Sequence, residues 1–364
     1  MFKTGYELQQ ELKKIREEGE LNPVKLGFKT WDDWDNNKLL MMSRGSWVLI
    51  GGEPHHGKTY FTNELVMQLM EIHDFKVALI STESGNVAKV FSTFYGMYAG
   101  KHYSRIRSDM KVNQYAMNDD EKAISEKFIN EHLWVFEQNQ TLKDYQSIKN
   151  VYKQVAEAEK KFGIKYDCVV IDPIYDIDGF EPKAEAVKEI LTYIDYQCEI
   201  SNRIDIVVNH VSETAKYVDK SGNRRKYRAG ADEFYGGKNN QRKAKLQILV
   251  ERPIPNTENS IDEEYVAENQ TNVHVLKAKP EGVAKMGTYK IYYDWKSRRY
   301  YEKFEDGTTA FSQNSTMSNR GEVVERQSVM EITATPNDAF NISPQDDASL
   351  RYSLITDDDD DLPF

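Results

Sequence analysis

The stretch SWVLIGGEPHHGKT (46–59) decides the fold. Its second half fits the pattern G-x-x-x-x-G-K-[ST], read by Gly52, Glu53, Pro54, His55, His56, Gly57, Lys58 and Thr59, with Tyr60 directly behind. Its first half, SWVLIGG, is a run of β-formers, and from about Lys58 to Ile72 apolar residues recur at helical spacing. A strand, a glycine-bearing loop and a helix in that order make a cradle for phosphate. The loop N–H groups turn inward, and the helix adds the positive end of its dipole. Lys58 reaches the β- and γ-phosphates, and the Thr59 hydroxyl ligates Mg²⁺. The pattern therefore implies a nucleoside triphosphate, ATP, with Mg²⁺ beside it. His55 and His56 read as variable loop residues near the nucleotide, because adjacent residues rarely ligate one ion together.

On either side of this stretch, strands alternate with helical segments. KVALIST (76–82), YDCVVIDPI (166–174) and IDIVVNH (204–210) are short runs apolar on both faces, while 84–160 reads mainly as helices and 182–201 as another. Strands of that kind separated by helices predict a mainly parallel central sheet covered by helices, an α/β fold. LQILVERP (246–253) and NVHVLKAK (272–279) read as further strands, 254–271 as a loop, and TYKIYYDWKSRRYYEKF (288–304) as a closing hairpin that turns near Asp294–Ser297. Residues 4–18 predict a short amphipathic helix with Leu8, Leu12 and Ile15 on one face and a capping box from Thr4 and Glu7. So short a helix is unstable alone, and its stripe should dock on its own domain or on a neighbouring subunit. The expected organisation is a linker helix over 1–24, an ATPase domain over 25–309 and a disordered acidic tail over 310–364.

The 364 residues carry a net charge of −11, unevenly spread. Residues 310–364 hold eleven acids against Arg320, Arg326 and Arg351, which is −8, so the first 309 residues are close to neutral at −3. Within that body, 215–245 carries ten Lys or Arg against Asp219, Asp232 and Glu233, a local +7. Such a stretch can hold the phosphates of a polyanion without reading sequence. Tyr227, Phe234 and Tyr235 are suited either to stacking on bases or to anchoring the loop. The two cysteines, Cys168 and Cys198, lie in core-like stretches and read as inert thiols in a reducing compartment. No apolar run is long enough to span a bilayer and the N-terminus has no signal-peptide segment, so the expected location is the cytoplasm, with no membrane contact.

Three further residues belong with the P-loop by position. Asp172 ends the apolar run CVVID, where a carboxylate supporting Mg²⁺ is placed. Glu83 follows KVALIST at the same sheet edge and is placed to orient water and take its proton. His210 ends IDIVVNH, in reach of a γ-phosphate.

Together these residues resemble the RecA-like motor domain of DnaB-type hexameric replicative helicases, bacteriophage versions included. LGFKTWDDWDNN before the P-loop, STES (81–84), CVVIDPI, VVNH and LKAKPEG (276–282) carry the likeness, which covers roughly 25–305. The resemblance implies a ring-forming homo-oligomer with ATP between subunits. It makes Glu83 the catalytic base, Asp172 the Walker B acid and His210 the sensor, and it sends Lys277 and Lys279 to the neighbour's ATP. It also implies that the stretch after His210 grips single-stranded DNA, through Lys216, Arg224, Arg225, Lys226, Arg228, Lys238, Arg242 and Lys243. Two departures stand out. Lys279 occupies a position where the family has an arginine finger, and a point charge lacks the planar fork of a guanidinium. The helical domain that meets primase in the family has no counterpart, leaving only the 4–18 helix. A RecA-like recombinase or annealing ATPase, or an ATP-switched single-strand-binding loader, are the alternatives. The ending DDDDDLPF (357–364) resembles tips through which replication proteins dock on partners: five carboxylates steer, and Leu362, Pro363 and Phe364 bury.

Overall fold

The computed structural model describes residues 3–19, 23–33, 38–81, 86–105, 115–137, 147–177, 184–211, 216–218, 224–226, 229–253 and 266–318. Glu83, Arg228 and the acidic ending lie outside these residues.

The body is built on one ten-stranded sheet. Its strands are β1 (Ser46–Gly52), β2 (Val77–Ser81), β3 (Leu133–Val135), β4 (Cys168–Asp172), β5 (Ile204–His210), β6 (Leu246–Glu251), β7 (Gln270–Ala278), β8 (Gly287–Asp294), β9 (Arg299–Lys303) and β10 (Thr309–Phe311). The spatial order is β10-β9-β8-β7-β6-β1-β5-β4-β2-β3. From β6 through β3 every pairing is parallel. From β6 through β10 every pairing is antiparallel. The expected parallel strands form one part of the sheet, and the closing hairpin β8–β9 lies within an antiparallel extension of it.

Helices α2 (Lys58–His73), α3 (Val87–Ala99), α4 (Asp119–His132) and α5 (Ile148–Phe162) precede β4 in the chain, and α6 (Ala184–Ser201) lies between β4 and β5. Alternate residues of β1 face opposite sides, and both sides are buried. Val48 and Ile50 join Phe61, Leu65 and Leu69 of α2 and Phe94 of α3 in one core. Trp47 and Leu49 join Val151 and Val155 of α5 and Leu191 and Ile194 of α6 in the other. Each buried aliphatic side chain contributes about 1.5–3 kcal/mol, so a β1 buried on both faces is among the most firmly held strands of the molecule. Helix starts follow from local caps. Asn118 and Glu121 close a reciprocal capping box at α4, and Ser147 caps α5 through the Asn150 N–H.

Several boundaries differ from those read in the sequence. The first helix, α1 (Gln9–Glu18), is preceded by a turn in which Glu7 accepts from the Thr4 N–H and hydroxyl, one half of the expected capping box. Leu12 and Ile15 of the stripe remain about half exposed. A short strand, Pro23–Lys25, straddles the boundary expected at 24/25. The boundary expected at 309/310 falls inside β10, and Met317 is buried while the Thr316 hydroxyl donates to Glu71 at 2.7 Å. Cys168 and Cys198 are buried free thiols, pushed well above their ordinary pKa by burial.

Candidate nucleotide site

The loop 52–57 leaves the C-terminal end of β1, and α2 begins at Lys58 without a side-chain cap. The first N–H groups of α2 are thus left to another acceptor, which a phosphate oxygen supplies. Gly57 sits at φ 85°, a left-handed conformation that favours glycine. The Lys58 ammonium is buried and donates to the Gly52 and Glu53 carbonyls at 3.0 Å each, curling the loop around itself.

Parallel pairing brings the remaining groups to this edge. Gly52 pairs in register with His210, and Ser81 with Asp172, so β1, β5, β4 and β2 end side by side. The Thr59 hydroxyl donates to Asp172 Oδ2 at 3.3 Å, and Lys58 Nζ lies 3.5 Å from His210 Nδ1. The Tyr175 ring stands edge-on to the imidazole with centroids 4.8 Å apart. Lys58, Thr59, Asp172 and His210 therefore converge, and Glu83 follows two residues after Ser81, outside the described residues. A hydroxyl and a carboxylate at hydrogen-bond distance fit a Mg²⁺ ion, which takes one or two carboxylates and completes its shell with water and phosphate oxygens. His55 stands at φ 63° on the exposed rim, and His56 Nε2 lies 3.8 Å from Glu53 Oε2. Among the described residues no cluster of His, Cys, Asp or Glu forms a separate metal site.

Sequence reading named Tyr60 beside the P-loop but missed the two residues that stand with it, Arg252 and Tyr293. Arg252, just past β6, lies on the loop: a Cβ built on Gly57 would come within 3.0 Å of its Nε. Its guanidinium stacks 5.6 Å from the Tyr60 ring centroid and 5.9 Å from that of Tyr293, and the two rings are 5.1 Å apart. Burial pushes the Tyr293 phenol well up, so the ring stays neutral. A cation beside a helix N-terminus and Lys58 is unfavourable until an anion arrives. No motif joins Arg252 or Tyr293 to the P-loop, so the sequence alone offered no signal for either.

The basic stretch begins directly behind His210. Lys216–Val218 and Arg224–Lys226 form an antiparallel two-stranded ladder, which places Lys216, Arg224, Arg225 and Lys226 on one hairpin. Lys238, Arg242 and Lys243 lie on the short helix α7 (Lys238–Lys243), with Lys238 and Arg242 exposed. The segment before α7 is pinned to the nucleotide edge. Phe234 is buried against Gly51, where a Cβ would meet its ring at 2.1 Å, so Phe234 anchors the loop. The Tyr235 carbonyl accepts from both Asn209 Nδ2 (2.8 Å) and Asn240 Nδ2 (2.9 Å), joining the residue before His210 to α7. Asn209→Ala should cost about 1–3 kcal/mol, because it also leaves the His210 N–H without its side-chain acceptor. Urea unfolding measures this, and an unchanged midpoint would show that the loop is held elsewhere.

Lys277 and Lys279 stand at the opposite edge. Lys277 pairs with Gln247, which pairs with Leu49, and the Lys279 N–H donates to the Lys245 carbonyl at 2.8 Å. Lys279 is then level with Trp47, five residues short of Gly52, or about 17 Å along the strand. It cannot serve its own P-loop. The Lys277 ammonium donates to the Gln241 and Arg242 carbonyls at the end of α7.

No protein-family model matches the chain, and no curated protein matches it in sequence. Solved structures match in fold. A helicase ATPase domain aligns with a TM-score of 0.60 at 14% identity, over 82% of this chain and 99% of that one. A DnaB-like replicative helicase, described with its interactions with primase, aligns with a TM-score of 0.59 at 16% identity, over 80% of this chain and 66% of that one. The chain has the RecA-like α/β fold of these helicase ATPase domains.

Proposed function

We propose that the chain is an ATP-driven motor on single-stranded DNA, a ring-forming replicative helicase that hydrolyses ATP where two copies meet. The convergence of Lys58, Thr59, Asp172 and His210 at one sheet edge, with Lys279 at the other, carries this reading. Lys58 and the α2 N–H groups bind the β- and γ-phosphates. Thr59 and Asp172 hold Mg²⁺, which when bound neutralises charge on the phosphates. Glu83 orients the attacking water and accepts its proton. His210 senses the γ-phosphate, and Asn209 passes its position to α7 and the basic stretch that grips DNA. Tyr60, Tyr293 and Arg252 offer the nucleobase a flat, cationic wall. The exposed stripe of α1 seeks a second copy, and the DDDDDLPF ending recruits a replication partner.

Glu83→Gln is expected to lower ATP turnover by about 10²–10⁴-fold while ATP still binds. Normal turnover in that variant removes Glu83 from the base role. Arg252→Ala should weaken ATP binding by about 3- to 30-fold, from loss of a cation–π contact. Equal weakening of tripolyphosphate would mean that Arg252 serves the phosphates instead of the base. Electron microscopy with single-stranded DNA and a forked-duplex assay test the motor. Closed rings and strand displacement support it, filaments and strand exchange support a recombinase, and DNA binding without unwinding supports a loader.

A further inference from the structure

On the antiparallel side of the sheet, three side chains on adjacent strands stand in hydrogen-bond contact. Glu251 ends β6, His274 lies on β7 and Thr288 on β8. His274 Nε2 lies 2.9 Å from Glu251 Oε2, and its Nδ1 lies 2.8 Å from Thr288 Oγ1. The register produces this contact. The Tyr293 N–H donates to the Asn269 carbonyl, and the ladder alternates from there. His274 and Thr288 are therefore a pair whose N–H groups point apart and whose side chains approach most closely. Val273 and Val275, on either side of His274, join the core against α2, so His274 faces the other way. The imidazole is buried, the Glu251 carboxylate is partly exposed and Thr288 is exposed. Accepting from His274 holds the Glu251 carboxyl below its ordinary pKa, and Asn272 and His56 act in the same direction. An ionised carboxylate only accepts, so it takes the Nε2 proton of the neutral imidazole and leaves the Nδ1 lone pair to the Thr288 hydroxyl. A hydroxyl, a base and a carboxylate that orients the base make an activated nucleophile. The Thr288 N–H points away from β7, and β9 pairs with β8 only over Tyr292–Asp294, so a backbone donor stands beside the hydroxyl on the same residue. Thr288 is level with Gly51 but three strands away, about 14 Å, and so lies outside the P-loop edge.

We propose that Thr288 is a nucleophile that takes the acyl group of a small carboxylic ester, with His274 as its general base and Glu251 as the positioning residue. This activity is separate from ATP hydrolysis and does not draw on the nucleotide. Thr288 Oγ1 attacks the ester carbonyl carbon while its proton passes to His274 Nδ1. Negative charge gathers on the carbonyl oxygen, and the Thr288 N–H is the donor nearest to it. Glu251 stabilises the imidazolium through Nε2. The carbon–oxygen bond to the alcohol then breaks, and the departing alkoxide takes the proton from Nδ1. The products are the alcohol and an ester on Thr288, and the imidazole is neutral again. The ionised Glu251 on the far side of the imidazole disfavours an anionic donor, which selects an uncharged ester.

The full-length chain mixed with p-nitrophenyl acetate tests this. A burst of nitrophenolate should accompany acetylation of Thr288, read by mass spectrometry of the peptides, and hydroxylamine should strip that acetyl group as it strips an ester. In the unmodified chain Thr288 should react about 100-fold faster than Thr192, an exposed threonine whose hydroxyl donates to the Lys188 carbonyl and has no imidazole beside it. His274→Gln should lower the Thr288 rate by about 100-fold. Glu251→Gln leaves the imidazole in place but offers it a donor, which favours the wrong tautomer, and should lower the rate by about 10²–10⁴-fold. Thr288→Ser should keep the reaction and Thr288→Val should lose it. Acetyl groups on lysines alone, or a Thr288 rate equal to that of Thr192, overturn the proposal. So does a Thr288 rate that neither His274→Gln nor Glu251→Gln changes. If either variant fails to fold, the comparison with Thr192 in the unmodified chain decides.

Discussion

Lys58→Ala should lower ATP turnover by about 10²–10³-fold, the largest functional loss expected from any single change in the described site. The reason is geometric. Lys58 is the one cation inside the loop, already buried and already aimed at the carbonyls of Gly52 and Glu53. It also lies 3.5 Å from His210 Nδ1, so its removal should take away the proposed phosphate contact and a neighbour of the proposed sensor together. The fold should tolerate the change. The ammonium bonds only two loop carbonyls, at Gly52 and Glu53, and carries none of the packing of the core, so the loss falls on the loop and not on the sheet. A thermal midpoint close to that of the unmodified chain, beside lost turnover and weakened ATP binding, is the expected pair of results. Lys58→Arg should rescue little, because a forked guanidinium does not fit a space shaped by a point charge. Turnover within twofold of the unmodified chain in Lys58→Ala would remove the loop from the chemistry.

Much of this site was legible in the sequence, because its parts are local. Gly52 to Thr59 are contiguous, and Asp172 and His210 each end an apolar run, so parallel pairing alone brings them to one edge. What was not legible comes from contacts between distant positions. Arg252 follows a strand that reads only as apolar, and nothing near it announces that its guanidinium lies on Gly57 and between Tyr60 and Tyr293. Strand β3 is three residues long and continues directly from α4, so a helical pattern hides it. The polar residues beyond 309 read as a tail, yet Thr316 is held by a carboxylate on α2, whose apolar pattern gives no hint of it. The family resemblance put Lys277 and Lys279 together. Lys277 turns to α7, and the Lys279 N–H donates to the carbonyl of Lys245, on the neighbouring strand's lead-in.

That carboxylate on α2 belongs to the arrangement with the largest expected effect on stability. Arg299, on β9, is completely enclosed and donates through Nε and Nη2 to Glu64 (2.8 and 3.0 Å) and through Nη2 to Glu71 (2.9 Å). The Met97 carbonyl at the end of α3 takes a further bond at 3.3 Å. Burial works against the guanidinium charge, and the two carboxylates more than offset it, so its pKa is driven upward. Glu64 also accepts from Gln68 at 2.9 Å and from the Tyr300 N–H at 3.2 Å, and the Gln68 carbonyl oxygen accepts from the Gly27 N–H at 3.0 Å. One cation thus ties the P-loop helix to the antiparallel extension, to α3 and to the chain before β1. Arg299→Ala leaves two buried carboxylates uncompensated and should cost about 3–5 kcal/mol. For a folded body of this size that lowers Tm by roughly 5–8 °C. Much of the loss is the penalty on the stranded charges, so Arg299→Leu combined with Glu64→Gln and Glu71→Gln should recover a large share of it. The three changes should then depart from additivity by about 1–3 kcal/mol in a mutant cycle. A loss below about 1 kcal/mol for Arg299→Ala would mean that water reaches the triad and that it behaves as a surface pair, which would leave α2 held by its apolar face alone.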